Sequence, residues 1–132
     1  LGLLQAQKVD YTLAWRHLAD AAAGDAGGLE SLFHDRRPAA IWLTRWSDRA
    51  LRDGRSGAER AAAMRRVNPL YIPRNHQVER ALAAASDATD LEPFERLLAV
   101  ITEPFDERPG LEDYTVPAPP DVTARYKTFC GT

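Results

Sequence analysis

The chain has 132 residues, 45% of them hydrophobic and 27% charged, and a formal net charge of -2 at pH 7. These values fit one core of ordinary size and give no bulk attraction to nucleic acid or to an anionic membrane. Apolar runs are broken by Arg or Asp well short of the roughly 20 residues that cross a bilayer, so no membrane span is expected.

Leu1 to Gln7 lacks a starting Met, a charged leader and a cleavage pattern, reads as helix interior, and predicts a chain that continues upstream. Asp10 is a candidate N-cap for a helix placing Tyr11, Trp15, Leu18 and Ala22 on one buried face, with Arg16, His17 and Asp20 off it. Gly24 ends that helix, and Asp25 to Gly28 reads as a flexible loop. Leu29, Leu32 and Phe33 form an apolar turn, and Pro38 suits the first position of a second helix. There Ala39, Trp42, Leu43, Trp46, Ala50 and Leu51 are expected inside, and Arg45, Asp48, Arg49 and Arg52 outside.

Ser56 and Glu59 have capping-box spacing before an alanine-rich segment that runs to Val67, whose small residues predict close helix packing. Asn68 before Pro69 is pushed out of the helical region, so Leu70-Tyr71-Ile72 runs extended into Pro73. Pro73 or Asn75 starts the next helix, with Val78, Leu82 and Ala85 inward, ending near Ser86. Thr89 and Glu92 repeat the capping-box spacing ahead of an apolar stripe of Phe94, Leu97, Leu98 and Ile101, closed by Pro104. Beyond it, Pro109, Pro117, Pro119 and Pro120 break up an acidic stretch with isolated apolar anchors. The expected architecture is all-α: about five helices in an irregular array over residues 1–104, then an extended Pro-rich C-terminal tail over 105–132 that lies on a surface. A truncated helical array of this kind is expected to expose an apolar face and to self-associate.

Chemistry-bearing residues are sparse. Gly24, Gly27 and Gly28 neither follow a strand nor precede a Lys-Ser/Thr pair, so they make no phosphate loop. His17, His34 and His76 lack metal-ligand spacing and read as surface or capping residues. Trp15, Trp42 and Trp46 sit in helical phase and read as core. Asp106, Glu107, Glu112 and Asp113 read as solvated charge. The densest stretch runs from Met64 to His76: Arg65, Arg66 and Arg74 surround the Asn68-Pro69 step and Asn75. Guanidinium groups there suit structural salt bridges, or a bidentate grip on carboxylate or phosphate. Cys130 is the single cysteine, so there is no internal disulfide framework; with no targeting segment, a reducing, cytoplasmic compartment is expected. Near the end of the chain Cys130 is a candidate for redox pairing rather than a preorganised nucleophile.

Taken in order, Val9-Asp10-Tyr11-Thr12, the tryptophan helix, Met64-Arg65-Arg66-Val67-Asn68-Pro69-Leu70-Tyr71-Ile72-Pro73-Arg74-Asn75-His76, Pro104-Phe105-Asp106-Glu107 and the terminal Cys130 resemble the C-terminal portion of the selenoprotein O family. Pro73 stands where members of that family often have Leu. The resemblance implies a larger kinase-like parent that transfers AMP from ATP to Ser, Thr or Tyr hydroxyls of proteins, with ATP and Mg²⁺ bound upstream of these residues. It implies no catalytic, cofactor or metal residue in this segment. Its partners would be the upstream kinase-like region and the parent's protein substrates, and Cys130 would meet a thiol upstream. A different class of reading is an autonomous helical interaction module without catalysis. A third, a small cysteine-dependent enzyme, requires a stabilised thiolate at Cys130.

Overall fold

The computed structural model describes residues 1–119 and residue 122, and among these every regular element is a helix. The chain divides into two compact units, Leu1–Leu70 and a second that begins at Tyr71.

The first unit opens with a short helix α1 (Gly2–Ala6), followed by α2 (Tyr11–Ala22). The Asp10 carboxylate accepts from the Leu13 amide at 2.9 Å, as the N-cap reading predicts. The buried side of α2 is Ala14, Arg16, Leu18 and Ala19, whereas Tyr11 is exposed and Trp15 and Ala22 only half-buried. Arg16 is thus the main departure from the sequence pattern: it is inside because its guanidinium has carbonyl partners there. Gly27 and Gly28, expected in a loop, instead start a short helix α3 (Gly27–Ser31). The Asp25 carboxylate accepts from the Gly27 amide at 3.0 Å and fixes that start. At Gly28 a Cβ would meet the His17 ring at 2.5 Å, so any larger residue there requires that ring to move.

Helix α4 (Arg36–Ala50) begins two residues before Pro38, with Asp35 as its cap, accepting from the Arg37 amide at 3.0 Å. A 3₁₀ turn (Leu51–Asp53) extends it to Gly54, whose φ of 73° only glycine adopts without strain. Of the residues expected inside, Ala39 is buried and Leu43, Trp46 and Ala50 are half-buried, but Trp42 and Leu51 are exposed. Helix α5 (Gly57–Arg65) carries the complete Ser56/Glu59 capping box. It packs on α2 more extensively than any other pair of elements pack together. Close approach is possible because a Cβ at Gly57 would overlap the Ala22 carbonyl. The core of this unit is Ala14, Leu18, Leu29, Phe33 and Ala39, backed by Leu3, Leu4, Trp15, Leu43, Trp46 and Met64. Each large side chain so buried contributes about 1.5–3 kcal/mol.

The second unit pairs α6 (Asn75–Ala88) with α7 (Glu92–Thr102) and adds a 3₁₀ turn (Glu112–Tyr114). Its buried residues are Tyr71, Arg74, Gln77, Ala81, Leu97, Val100 and Tyr114. Leu82, Phe94 and Leu98, expected inside, are exposed, because the buried line on α6 runs through Gln77 and Ala81 and on α7 through Leu97 and Val100. The second capping box does not form: α6 runs on to Ala88, and Thr89, at φ 54°, is its left-handed C-cap. Asp90 instead accepts from the Glu92 amide at 3.0 Å. The Pro-rich stretch past α7 is anchored by the buried Tyr114 and by Gln77 Nε2, which donates to the Asp113 carbonyl at 3.2 Å. Among the described residues no helix is long and apolar enough to cross a membrane.

Candidate functional site

The Met64–His76 stretch straddles the division between the two units, so its residues fall into two separate settings. On the α5 side, Met64 O accepts from the Asn68 amide at 3.0 Å and from Asn68 Nδ2 at 2.9 Å, which closes the helix before Pro69. The last carbonyls of a helix lack intrahelical donors and carry partial negative charge. Arg16 supplies what they lack: its Nη1 donates to Arg65 O at 3.3 Å and to Asn68 O at 3.2 Å. Arg65 itself pairs with Asp20 at 2.5 Å, and the other Asp20 oxygen lies 3.2 Å from His17 Nδ1. Arg66 is exposed.

On the α6 side, Tyr71 is almost completely buried. Its amide donates to Pro104 O at 3.1 Å and its phenol oxygen accepts from the Arg108 amide at 3.0 Å. The Arg108 guanidinium lies over the Tyr71 ring, 5.2 Å from its centroid, a favourable cation–π distance. It also donates to Val100 O at 2.8 Å, to Glu103 O at 3.2 Å and to the Glu103 carboxylate at 3.2 Å. Arg74, the N-cap residue of α6, is buried, and its carbonyl accepts from the Gln77 and Val78 amides. Asn75, the first residue of α6, is exposed. Burial, with Arg74 and Arg80 nearby, pushes the His76 imidazole below its usual range.

A third clamp repeats the device at the end of α4. Arg60 Nη2 donates to Ala50 O, to the Asp53 carboxylate at 2.5 Å and to Arg55 O at 3.2 Å. The Arg55 amide and then the Arg60 side chain hold the Asp53 carboxyl below its ordinary range. Hydrogen bonds from the Ser56 hydroxyl and amide do the same for Glu59, and backbone amides do so for Glu112.

The guanidinium groups of Arg16, Arg60 and Arg108 therefore close turns. Of the residues singled out in the sequence, Arg65, Asn68 and Pro69 belong to the first setting with Arg66, and Arg74 and Asn75 to the second. Cys130 lies outside the described residues. The clamping residues Arg16, Arg60 and Arg108 are missed by periodicity, which treats an arginine as outward-facing. The one available signal is position: Arg108 follows closely on Pro104, which closes the preceding helix and leaves its last carbonyls without donors. Among the described residues no group of three or more His, Cys, Asp or Glu side chains is placed to hold a metal ion.

No family model matches the chain. It is similar over all of its residues to proteins named protein nucleotidyltransferase YdiU. It is 48% identical over 132 residues to that of Chromobacterium violaceum and covers 28% of it. Identity is 53% over 132 residues, covering 25% of the relative, for a Mycobacterium sp. (strain KMS). For Rhodococcus jostii the values are 48% and 25%. The chain thus spans about a quarter of the length of the curated relatives it matches.

Proposed function

Because the chain belongs to the selenoprotein O family, matching its C-terminal portion, we propose that it is the helical supporting segment of a larger protein nucleotidyltransferase that moves AMP from ATP to protein hydroxyls. The observation that carries this reading is the identity of 48% along all 132 residues to a relative named for nucleotidyl transfer. On this reading residues 1–104 pack on a kinase-like lobe and residues 105–132 run across its surface.

Transfer of a nucleotidyl group requires the triphosphate charge to be neutralised and the α-phosphorus to be aligned with the acceptor. Mg²⁺ would supply the neutralising charge. The described residues do not fit that task, since they bring no convergent set of ligands together. The family resemblance implies that ATP and Mg²⁺ are bound by residues outside this chain. What the chain contributes is rigidity. Arg16, Arg60 and Arg108 saturate carbonyls at helix ends, and a supporting segment needs such fixed ends to hold neighbouring elements in place. Cys130 is proposed as a redox handle that pairs with a thiol elsewhere in the parent.

The test is AMP transfer from α-labelled ATP with Mg²⁺, comparing the full-length protein with the 132-residue chain. Label on protein with the full-length form alone is the expected result. Label with the chain alone would place a nucleotide site within it and overturn the supporting role; label with neither would overturn the assigned reaction.

A further inference from the structure

Helix α4 carries two faces. One packs inward through Ala39, Leu43 and the half-buried Trp46. Along another, Trp42, Arg45, Trp46, Asp48, Arg49 and Arg52 line a shallow surface depression. The Trp42 and Trp46 rings are stacked, with centroids 6.3 Å apart and planes at 18°. Arg45, Arg49 and Arg52 are exposed, and among the described residues their guanidinium groups engage no carboxylate or carbonyl. This contrasts with Arg16, Arg60 and Arg108, each committed to carbonyl partners.

Residues 42 to 52 recur at helical spacing and make a stripe about 15 Å long. An apolar stacked pair at one end and three unpaired cations against a single Asp48 along the rest form an amphipathic, net positive strip. Trp and Arg are the residue types that dominate interface energetics when a partner desolvates them. We propose that this face of α4 docks an acidic amphipathic helix of a partner protein. The partner's apolar side chains cover Trp42 and Trp46, and its carboxylates, one turn apart, pair with Arg45, Arg49 and Arg52. Helix-on-helix recognition of this kind reads side chains at one-turn spacing, and bidentate guanidinium–carboxylate pairing fixes the register. A polyanion is disfavoured as occupant, because affinity for nucleic acid grows with the number of phosphates neutralised and the chain as a whole carries a net charge of -2.

The experiment titrates the full 132-residue chain, and the full-length protein that contains it, into a fluorescent peptide of about three heptads with Leu at its core positions and Glu beside them. Saturable anisotropy that weakens with added salt is expected with both proteins. R45E/R49E/R52E should weaken binding at least about tenfold and should instead bind the matching peptide with Lys in place of Glu. R49Q/R52Q, at exposed positions, should act in the same direction without endangering the fold. Unchanged affinity of either variant, no binding to either protein, or preference for a DNA duplex or an anionic vesicle over the peptide would overturn the proposal.

Discussion

Gly57 and Gly28 test how far single atoms govern this fold. Both lie in the first turn of a helix, and alanine is the better helix former by up to about 1 kcal/mol. At Gly57, however, the added Cβ meets the backbone carbonyl of Ala22, which cannot turn aside. Gly57→Ala is expected to destabilise by about 1–3 kcal/mol through the shift it forces between α2 and α5. At Gly28 the obstacle is the His17 side chain, which can rotate away at the loss of its contact with Asp20. Gly28→Ala should therefore cost less than Gly57→Ala in a denaturant titration. His76 provides a second residue-scale test. Its folded pKa is lowered by burial and by Arg74 and Arg80. Below about pH 6.5 the unfolded chain takes up a proton that the folded one refuses, so unfolding becomes easier as pH falls. Stability should hold above that pH and decline below it, and His76→Gln should remove this part of the decline. Neither constraint was legible beforehand. Spacing locates a glycine or a histidine but not the group facing it, just as it located Arg16 without the carbonyls that draw it inside.

Helix ends show which local signals survive. The pair Ser56/Glu59 was legible as a capping box and forms one, with the Ser56 hydroxyl and the Glu59 carboxylate both engaged. Thr89/Glu92 has the same spacing and does not. There the preceding helix runs two residues past the expected end at Ser86, so Thr89 is taken up as the C-cap of α6 before it can cap α7. Two elements competed for one residue, and a motif search weighs only one of them. Ser56→Ala should cost about 1 kcal/mol. Thr89→Gly should stabilise by about 0.5–1 kcal/mol, because a β-branched residue is strained at positive φ while glycine is not. Thermal midpoints moving in opposite directions would verify both; a loss of stability in Thr89→Gly would show that the threonine side chain has a role of its own. The tryptophan helix repeats the point: its periodicity marked a helix correctly, yet placed Trp42 inside when Ala39 and Leu43 occupy the inward line.

For the whole molecule, the all-helical class was legible because no strand alternation competes with the helical periodicity. The division at Leu70/Tyr71 was not, although it falls within the Met64–His76 stretch, the densest in chemistry-bearing residues. Compositional punctuation marked Asn68-Pro69, but which contacts lie on either side of a turn depends on distant residues such as Arg16 and Arg108. Leu82 on α6, Phe94 and Leu98 on α7, and Leu91 just before α7 leave apolar surface open. Exposed patches of this kind favour association. Sedimentation velocity of the 132-residue chain should show a concentration-dependent rise in mass, reduced by Leu82→Gln and Leu98→Gln. A single monomeric species at every concentration would contradict this.

The buried Tyr71 ring and the Arg108 side chain hold the turn after α7, although neither residue belongs to a regular element. Deuterium labelling should make that visible. The Tyr71 and Arg108 amides both have hydrogen-bond acceptors, so they are expected to exchange slowly although neither lies in a helix, as an island of protection amid fast-exchanging neighbours. Tyr71→Phe removes the acceptor oxygen and keeps the ring. It should release the Arg108 amide to solvent while leaving the Tyr71 position protected, separating the polar half of the lock from its aromatic half.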